Sequence, residues 1–251
     1  MGQYMAMIAL ERARELVAEC GSAAAFTGAG CSTASGVPDF RSPGGIWSRY
    51  RPVPFPEFVA DPEARRRYWL YKKETYRDFA EARPNAAHHA LARMERSGRL
   101  RAVLTQNIDG LHQEAGSECV LELHGTNRRV VCIRCAASWP AAEIQARLLD
   151  GCDVPECDRC GGILKSATVS FGQALPADVL EAAFHIATSV ELLLVLGSSL
   201  VVHPAAAIPM AAAESGARLV IVNREPTPLD GLATVVLRDP VEEVLPALEA
   251  R

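Results

Sequence analysis

Short apolar runs recur along this chain, separated by stretches whose apolar positions repeat with helical spacing. Ala23 to Thr27 is a small apolar run that ends in glycines. Glu191 to Leu196 and Arg218 to Val222 are the most apolar runs, and continuous apolarity of that length predicts strands buried on both faces of a parallel sheet. Arg101 to Thr105 and Val120 to Leu123 predict two further strands. Ile8 to Cys20 sets Ile8, Leu16 and Val17 among charges, the pattern of an amphipathic helix. His203 to Ser215 falls between the two most apolar runs and predicts a crossover helix. Strand, helix, strand in this order predicts an α/β fold with a doubly wound parallel sheet. Two segments break the alternation. Residues 38–85 hold many prolines and aromatics and then an arginine- and lysine-rich helical stretch, and residues 126–167 carry paired cysteines. Both are expected to be insertions that build a smaller second lobe.

Composition narrows the class. The chain of 251 residues carries a net charge of −4, which argues against a broadly basic face for nucleic acid. No specific nucleic-acid partner is expected. No run of 18 apolar residues exists and no secretory leader is evident, so neither a membrane nor export is expected. A cytoplasmic protein with reduced thiols is the expectation.

That compartment gives the eight cysteines a different meaning from disulfides, because five of them fall between Cys132 and Cys160. Cys132-x-x-Cys135 and Cys157-x-x-Cys160 are two pairs of the kind that hold a tetrahedral structural zinc. The interval between the pairs is slightly longer than the usual ribbon spacing, and Cys152 is a rival third ligand. The matched spacing and Gly161-Gly162 after the second pair favour Cys157. Four thiolates leave no position for water, so this zinc is expected to be structural.

Thr27-Gly28-Ala29-Gly30-Cys31-Ser32 follows the first strand, where a glycine turn lets backbone N–H groups approach a pyrophosphate. Thr33 stands where the dinucleotide fingerprint has its third glycine, and a proline-rich loop replaces the region of the usual acidic residue. A standard dehydrogenase is therefore disfavoured. Tyr68-x-x-x-Lys72 imitates a dehydrogenase pair but sits in the charged helix of the first insertion, and no chemistry is assigned to it.

Three further blocks follow in order: Gly36-Val37-Pro38-Asp39-Phe40-Arg41-Ser42, then Thr105-Gln106-Asn107-Ile108-Asp109-Gly110-Leu111-His112, then Glu122-Leu123-His124-Gly125. With the glycine turn and the paired cysteines they resemble the sirtuins, the NAD-dependent protein-lysine deacylases, over most of the chain. The resemblance implies a Rossmann-like NAD-binding domain from residues 1–37, 86–125 and 168–251. It implies a cofactor loop and helical insertion at 38–85 and a zinc-binding module at 126–167. NAD would be the co-substrate, acyl-lysine proteins or peptides the partners, and nicotinamide and O-acyl-ADP-ribose the products.

By that resemblance His124 is the general base, a role that suits a group titrating near neutrality. Asn107 would position the ribose, Asp109 would hold the nicotinamide carboxamide, and both count with His124 as catalytic. Phe40 would shield the reacting carbon from water and Arg41 would steady the phosphate or ribose side. The other implied NAD contacts are Gly28, Ala29, Gly30, Ser32, Asp39, Trp47, Gln106, Ile108, Gly197, Ser198, Ser199, Asn223, Arg224 and Val241. Val169-Ser170-Phe171-Gly172 resembles the segment that pairs with the peptide backbone as an added strand. His112 is expected to be structural.

Some positions depart from the family. Ser166 replaces its usual proline and Gln173 an acidic residue. Trp69 and Lys72 fall where the members that remove acidic acyl groups carry Tyr and Arg, so acetyl or longer uncharged acyl groups are expected. A lysine is a point charge, without the fork of an arginine. Mono-ADP-ribosyl transfer to protein from the same pocket is the alternative activity, and a catalytically idle interaction module is the rival outside enzymology.

Overall fold

A computed structural model of the chain describes residues 2–39 and 45–249. Its strands are β1 (Ala23–Thr27), β2 (Leu100–Thr105), β3 (Val120–Glu122), β4 (Gly125–Cys132), β5 (Ser138–Pro140), β6 (Leu164–Thr168), β7 (Leu192–Leu196), β8 (Arg218–Val222) and β9 (Val235–Leu237). Six form one sheet in the order β3-β2-β1-β7-β8-β9, and every neighbouring pair is parallel. The chain builds outward from β1 through β2 and β3, then resumes on the other side of β1 with β7, β8 and β9. The order reverses between β1 and β7, and a crevice opens at the carboxyl ends of strands at such a point.

Both faces of this sheet are covered, which is why its central strands are apolar without alternation. Ala23 and Ala25 of β1 join Leu192, Leu194, Val220 and Val222 on one face. The helices Gly2–Glu19, Ala86–Arg96 and Val241–Glu249 close that face with Leu16, Leu91 and Leu245 among others. Ala24 and Phe26 join Leu193, Val195, Leu219 and Ile221 on the other, under the helices Ala177–Ala187 and Ala207–Glu214.

The predicted runs at Ala23 to Thr27 and Arg218 to Val222 coincide with β1 and β8. Glu191 stays outside β7, where its N–H donates to Ser22 O at 3.1 Å. The crossover helix starts at Ala207 instead of His203, after a turn through Pro204. β9 has only three residues, too few to stand out as a periodic run.

β4, β5 and β6 make a separate antiparallel sheet in the order β5-β4-β6. Its core joins Phe58 and Trp69 to Val130, Ile144, Leu148 and Leu164, with Cys132 and Cys157 at its edge. The helix Pro62–Ala80 begins where Asp61 accepts from Glu63 N at 2.9 Å and Ala64 N at 3.2 Å, with Pro62 in the first helical position. Among the described residues no helix is long and apolar enough to cross a membrane.

Phe26 is the one large side chain in an otherwise small-residue β1, and it is fully buried. Phe26→Ala is expected to lower the stability of the chain by roughly 3–5 kcal/mol. Urea unfolding should show a lower midpoint at an unchanged slope.

Candidate active site and metal centre

The turns that follow β1 and β7 touch backbone to backbone. Gly28 N donates to Leu196 O and Gly30 N to Gly197 O, both at 2.9 Å. A Cβ on Gly28 would lie 2.7 Å from Gly197 O, and one on Gly30 would lie 2.9 Å from Gly197 Cα. Gly197 has a φ of +60°, and its Cβ would meet Cys31 N at 2.4 Å. These three positions accept glycine only. Thr33, where a third glycine was absent, is exposed and needs no such approach.

A cleft of about 850 Å³ opens over this junction. Gly28, Ala29, Gly30, Asp39, Trp47, Gln106, Asn107, Ile108 and His124 line it, with Gly197, Ser198, Ser199, Asn223, Arg224 and Val241. Val169, Ser170, Phe171 and Gly172 form part of its wall. Ser32 and Asp109 are buried beneath the lining, and Asp109 instead borders a smaller cavity of about 210 Å³ with Asn127 and Arg128. Phe40 and Arg41 lie outside the described residues.

The directions of the hydrogen bonds under the cleft can be deduced, because carbonyl and carboxylate oxygens only accept. Asp109 Oδ1 accepts from Leu111 N at 2.9 Å and Oδ2 from Ser32 Oγ at 2.8 Å. Burial holds the Asp109 carboxyl above its usual range, against these bonds and the Arg128 charge. Asn107 Nδ2 donates to Gly28 O and to Ser32 Oγ, each at 3.0 Å, so Asn107 presents its Oδ1 as an acceptor. Gln106 Nε2 donates to Ser198 Oγ at 2.7 Å and ties the β2 turn to the β7 turn.

His124 Nδ1 lies 3.0 Å from Gln106 O. The carbonyl can only accept, so Nδ1 carries the proton and Nε2 is the basic nitrogen of the neutral ring. His112 is different. It is buried with its Nε2 3.0 Å from Thr27 Oγ1, and Thr27 donates onward to Thr105 Oγ1 at 2.8 Å. Burial pushes the His112 pKa well down, so this ring is a neutral packing element.

At the edge of the second sheet Cys132, Cys135, Cys157 and Cys160 bring their sulfurs within 4.8 Å of one another. Cys132 Sγ and Cys160 Sγ are 3.6 Å apart, as are Cys135 Sγ and Cys157 Sγ. A tetrahedron of zinc–sulfur bonds of about 2.3 Å has edges of about 3.8 Å, so the donor set fits zinc and closes its coordination. Arg147 grips Asp158 with two bonds, at 2.9 and 2.5 Å, and braces the second knuckle. Cys152 lies outside the cluster, with its N–H on Arg147 O at 3.0 Å.

The profile of the Sir2 family matches residues 28–204, well over half of the chain. The chain belongs to the Sir2 family. An NAD-dependent protein deacetylase 2 of Streptomyces coelicolor is 49% identical over 231 residues, covering 90% of this chain and 95% of that protein. An NAD-dependent protein deacetylase 1 of Bradyrhizobium diazoefficiens is 45% identical, covering 94% and 93%. A solved Sir2 complex with a p53 peptide and NAD+ superposes with a TM-score of 0.85 at 40% identity, covering 92% of this chain and 93% of that one. A Sir2 variant with deacetylated p53 peptide and 3′-O-acetyl-ADP-ribose superposes with a TM-score of 0.89 at 38% identity, covering 95% and 96%.

In this Sir2 chain the peptide segment follows directly on a strand of the smaller sheet. β6 stops at Thr168, and residues 169–172 are not strand. Val169 N donates to His124 O at 2.8 Å, and Phe171 O accepts from Phe55 N at 2.8 Å. Gln173, in place of an acid, uses its Oε1 to accept from Ser170 N at 3.2 Å. Tyr68 and Lys72, whose sequence pattern carries no assigned chemistry, both line the cleft beside Tyr71. Lys72 Nζ donates to Asn127 Oδ1 at 2.8 Å, and burial, helped by Lys165, lowers its pKa to about 7. Positions 68, 71 and 72 share one helix face, which was the available signal. Trp69 turns into the small core instead.

Purified Sir2 chain is expected to carry one zinc per molecule by elemental analysis. Cys157→Ala should lose it and Cys152→Ala should keep it, and removing zinc by chelation should unfold the β4-β5-β6 sheet.

Proposed function

We propose that this chain is an NAD-dependent protein-lysine deacetylase that converts acetyl-lysine, NAD and water to lysine, nicotinamide and O-acetyl-ADP-ribose. The observation that carries the reading is the tautomer of His124: the Gln106 carbonyl fixes its proton on Nδ1 and leaves Nε2 as a base at the cleft wall. The relatives named for this activity and the solved complexes with NAD and acetylated peptide support it.

Bound NAD supplies an electrophilic sugar carbon with nicotinamide as its leaving group. The chain's own residues bind, orient and take the proton. The glycine turns at Gly28 and Gly197 let backbone approach the phosphates without side chains between. Asn107 Oδ1 accepts from a ribose hydroxyl and so sets the sugar's rotation. His124 Nε2 takes the proton of a ribose hydroxyl, while Nδ1–H stays on Gln106 O and keeps the ring in plane. The segment 169–172 and Phe55 form the edge along which an extended acyl-lysine peptide lies. The cysteine module is structural and supplies no chemistry.

The same reading assigns NAD binding to residues 1–37, 86–125 and 168–251, with 38–85 and 126–167 as the smaller lobe. It places the protein in the cytoplasm, where four thiolates stay reduced and able to hold zinc. Uncharged acyl groups are the preferred cargo.

His124→Ala should lose roughly 10²–10⁴-fold in turnover while melting like the wild type. Mass spectrometry of an acetyl-peptide incubated with NAD should show loss of acetyl and formation of O-acetyl-ADP-ribose. Addition of ADP-ribose to protein with no loss of acetyl would instead identify a transferase.

A further inference from the structure

We propose that Lys72 is a carbon dioxide site, where its amine and the gas combine into a carbamate that lies against Lys165. The helix Pro62–Ala80 turns Tyr68, Tyr71 and Lys72 toward the cleft. Tyr68 and Lys72 stand one helical turn apart, so ring and amine meet. Lys72 Nζ is 5.6 Å from the centre of the Tyr68 ring. Lys165 of β6 is almost fully buried and brings its own Nζ to 6.0 Å from the same ring. Two lysines thus share one tyrosine. The acceptors they reach are uncharged. Lys72 Nζ donates to Asn127 Oδ1 at 2.8 Å, and Lys165 Nζ donates to the carbonyls of Ser166, at 3.3 Å, and Thr168. Among the described residues no carboxylate forms an ion pair with either lysine. The Tyr68 hydroxyl is buried beside Thr168 and Ser166 with no hydrogen-bond partner.

Two buried cations with no anion between them are costly, and one of them gives up its proton. Burial and the Lys165 charge lower the pKa of Lys72 to about 7, while burial lowers that of Lys165 to about 8. Slightly above neutrality Lys72 is mostly free amine and Lys165 keeps most of its charge. A desolvated lysine beside a second cation is a nucleophile. It faces a cleft walled here by Tyr71, Ile108 and Val169. The adduct that suits this place is an anion. An acyl group on Lys72 would be neutral and an imine neutral or cationic, so both would leave Lys165 without a counter-charge. Carbon dioxide is uncharged, crosses an apolar wall easily, and yields an anion. Lys72 Nζ gives its lone pair to the carbon, one C=O π pair moves to oxygen, and a proton leaves Nζ for water. Nothing is oxidised or reduced. The remaining N–H stays on Asn127 Oδ1, the new carboxylate faces Lys165, and the Tyr68 hydroxyl gains an acceptor.

The peptide wall is close by. Ring centres of Tyr71 and Trp47 are 6.0 Å apart, and those of Trp47 and Phe171 are 6.1 Å apart. Under the deacetylase reading a charged group on Lys72 stands beside the place of an uncharged acyl chain, so carbon dioxide competes with the substrate.

The chain has only three lysines, Lys72, Lys73 and Lys165, so Lys73 serves as the control for ordinary amine reactivity. Zinc-loaded full-length protein is held under isotope-labelled carbon dioxide at fixed pH and ionic strength, and carbamates are trapped as ethyl esters with triethyloxonium. Peptide fragmentation in the mass spectrometer then reads the label at each lysine. Lys72 is expected to carry at least about fivefold more label than Lys73, and any smaller ratio, or no label on Lys72, overturns the proposal. Lys165→Met keeps the Lys72 amine but removes the opposing charge. That variant, checked for zinc content and far-ultraviolet dichroism, is expected to lose the Lys72 label at least about fivefold, and a folded variant labelled like wild type overturns the pairing. Should it not fold, the wild-type ratio of Lys72 to Lys73 still decides. Carbon dioxide should also raise the KM for an acetyl-peptide in wild type and not in Lys72→Met, and a labelled wild type whose KM ignores the gas overturns the competition. This last arm rests on the deacetylase reading, whereas the trapping stands without it. Wild-type protein that is labelled on Lys72 but leaves acetyl-peptides intact would count against the activity and not against the carbamate.

Discussion

Every group on the floor of the cleft hangs from two chain reversals that touch without a side chain between them. Gly28 and Gly30 after β1 meet Gly197 after β7, with paired hydrogen bonds at 2.9 Å. The contact sits at the carboxyl end of the two central strands, where the strand order reverses. A single methyl group at any of the three would push the turns apart, because the nearest atoms it meets are backbone. The alanines of β1 serve the same end, since small residues fit between a packed sheet and the helices on both its faces. Large side chains enter only where the interior has room, as Phe26 does.

On this floor the hydrogen bonds of Asn107, Ser32 and Asp109 run in one consistent direction. Asp109 and Asn107 are buried; Leu111 N can only give and Gly28 O only take, and the Ser32 hydroxyl between them accepts from Asn107 and donates to Asp109. Half-satisfied networks of this kind are costly in a low-dielectric interior, whereas fully satisfied ones hold a single geometry. Two neutral histidines stand behind the network, with ring centroids 4.8 Å apart, and burial keeps protons off them. His124 stands at the cleft wall, with its Nδ1 on the Gln106 carbonyl. The division between packing and reacting histidines follows from burial and from which partner each nitrogen meets.

Much of this was legible in the sequence. The apolar runs located β1, β7 and β8 because strands covered on both faces have no polar face to hide them. The glycine turn, the Gln106 to Asp109 block and His124 each follow a strand, and parallel topology collects strand ends. The four cysteines announced themselves by spacing, and geometry then separated Cys157 from Cys152. Other features depend on contacts that no local pattern encodes. The alternation of Tyr68, Tyr71 and Lys72 with buried Trp69 depends on which face of a charged helix meets the cleft. Asp109 lies behind Asn107 and not on the lining, because Ser32 and Leu111 hold its carboxylate. The wall at 169–172 is set by hydrogen bonds to His124 and Phe55, two segments far from it in the sequence.

Calorimetric titration of NAD into the wild-type chain and into Gly30→Ala measures the glycine junction most directly. Wild type should bind one NAD per chain, while Gly30→Ala, checked for zinc content and far-ultraviolet dichroism to confirm its fold, should bind at least tenfold more weakly. A folded Gly30→Ala chain that binds NAD as tightly as wild type would contradict the account.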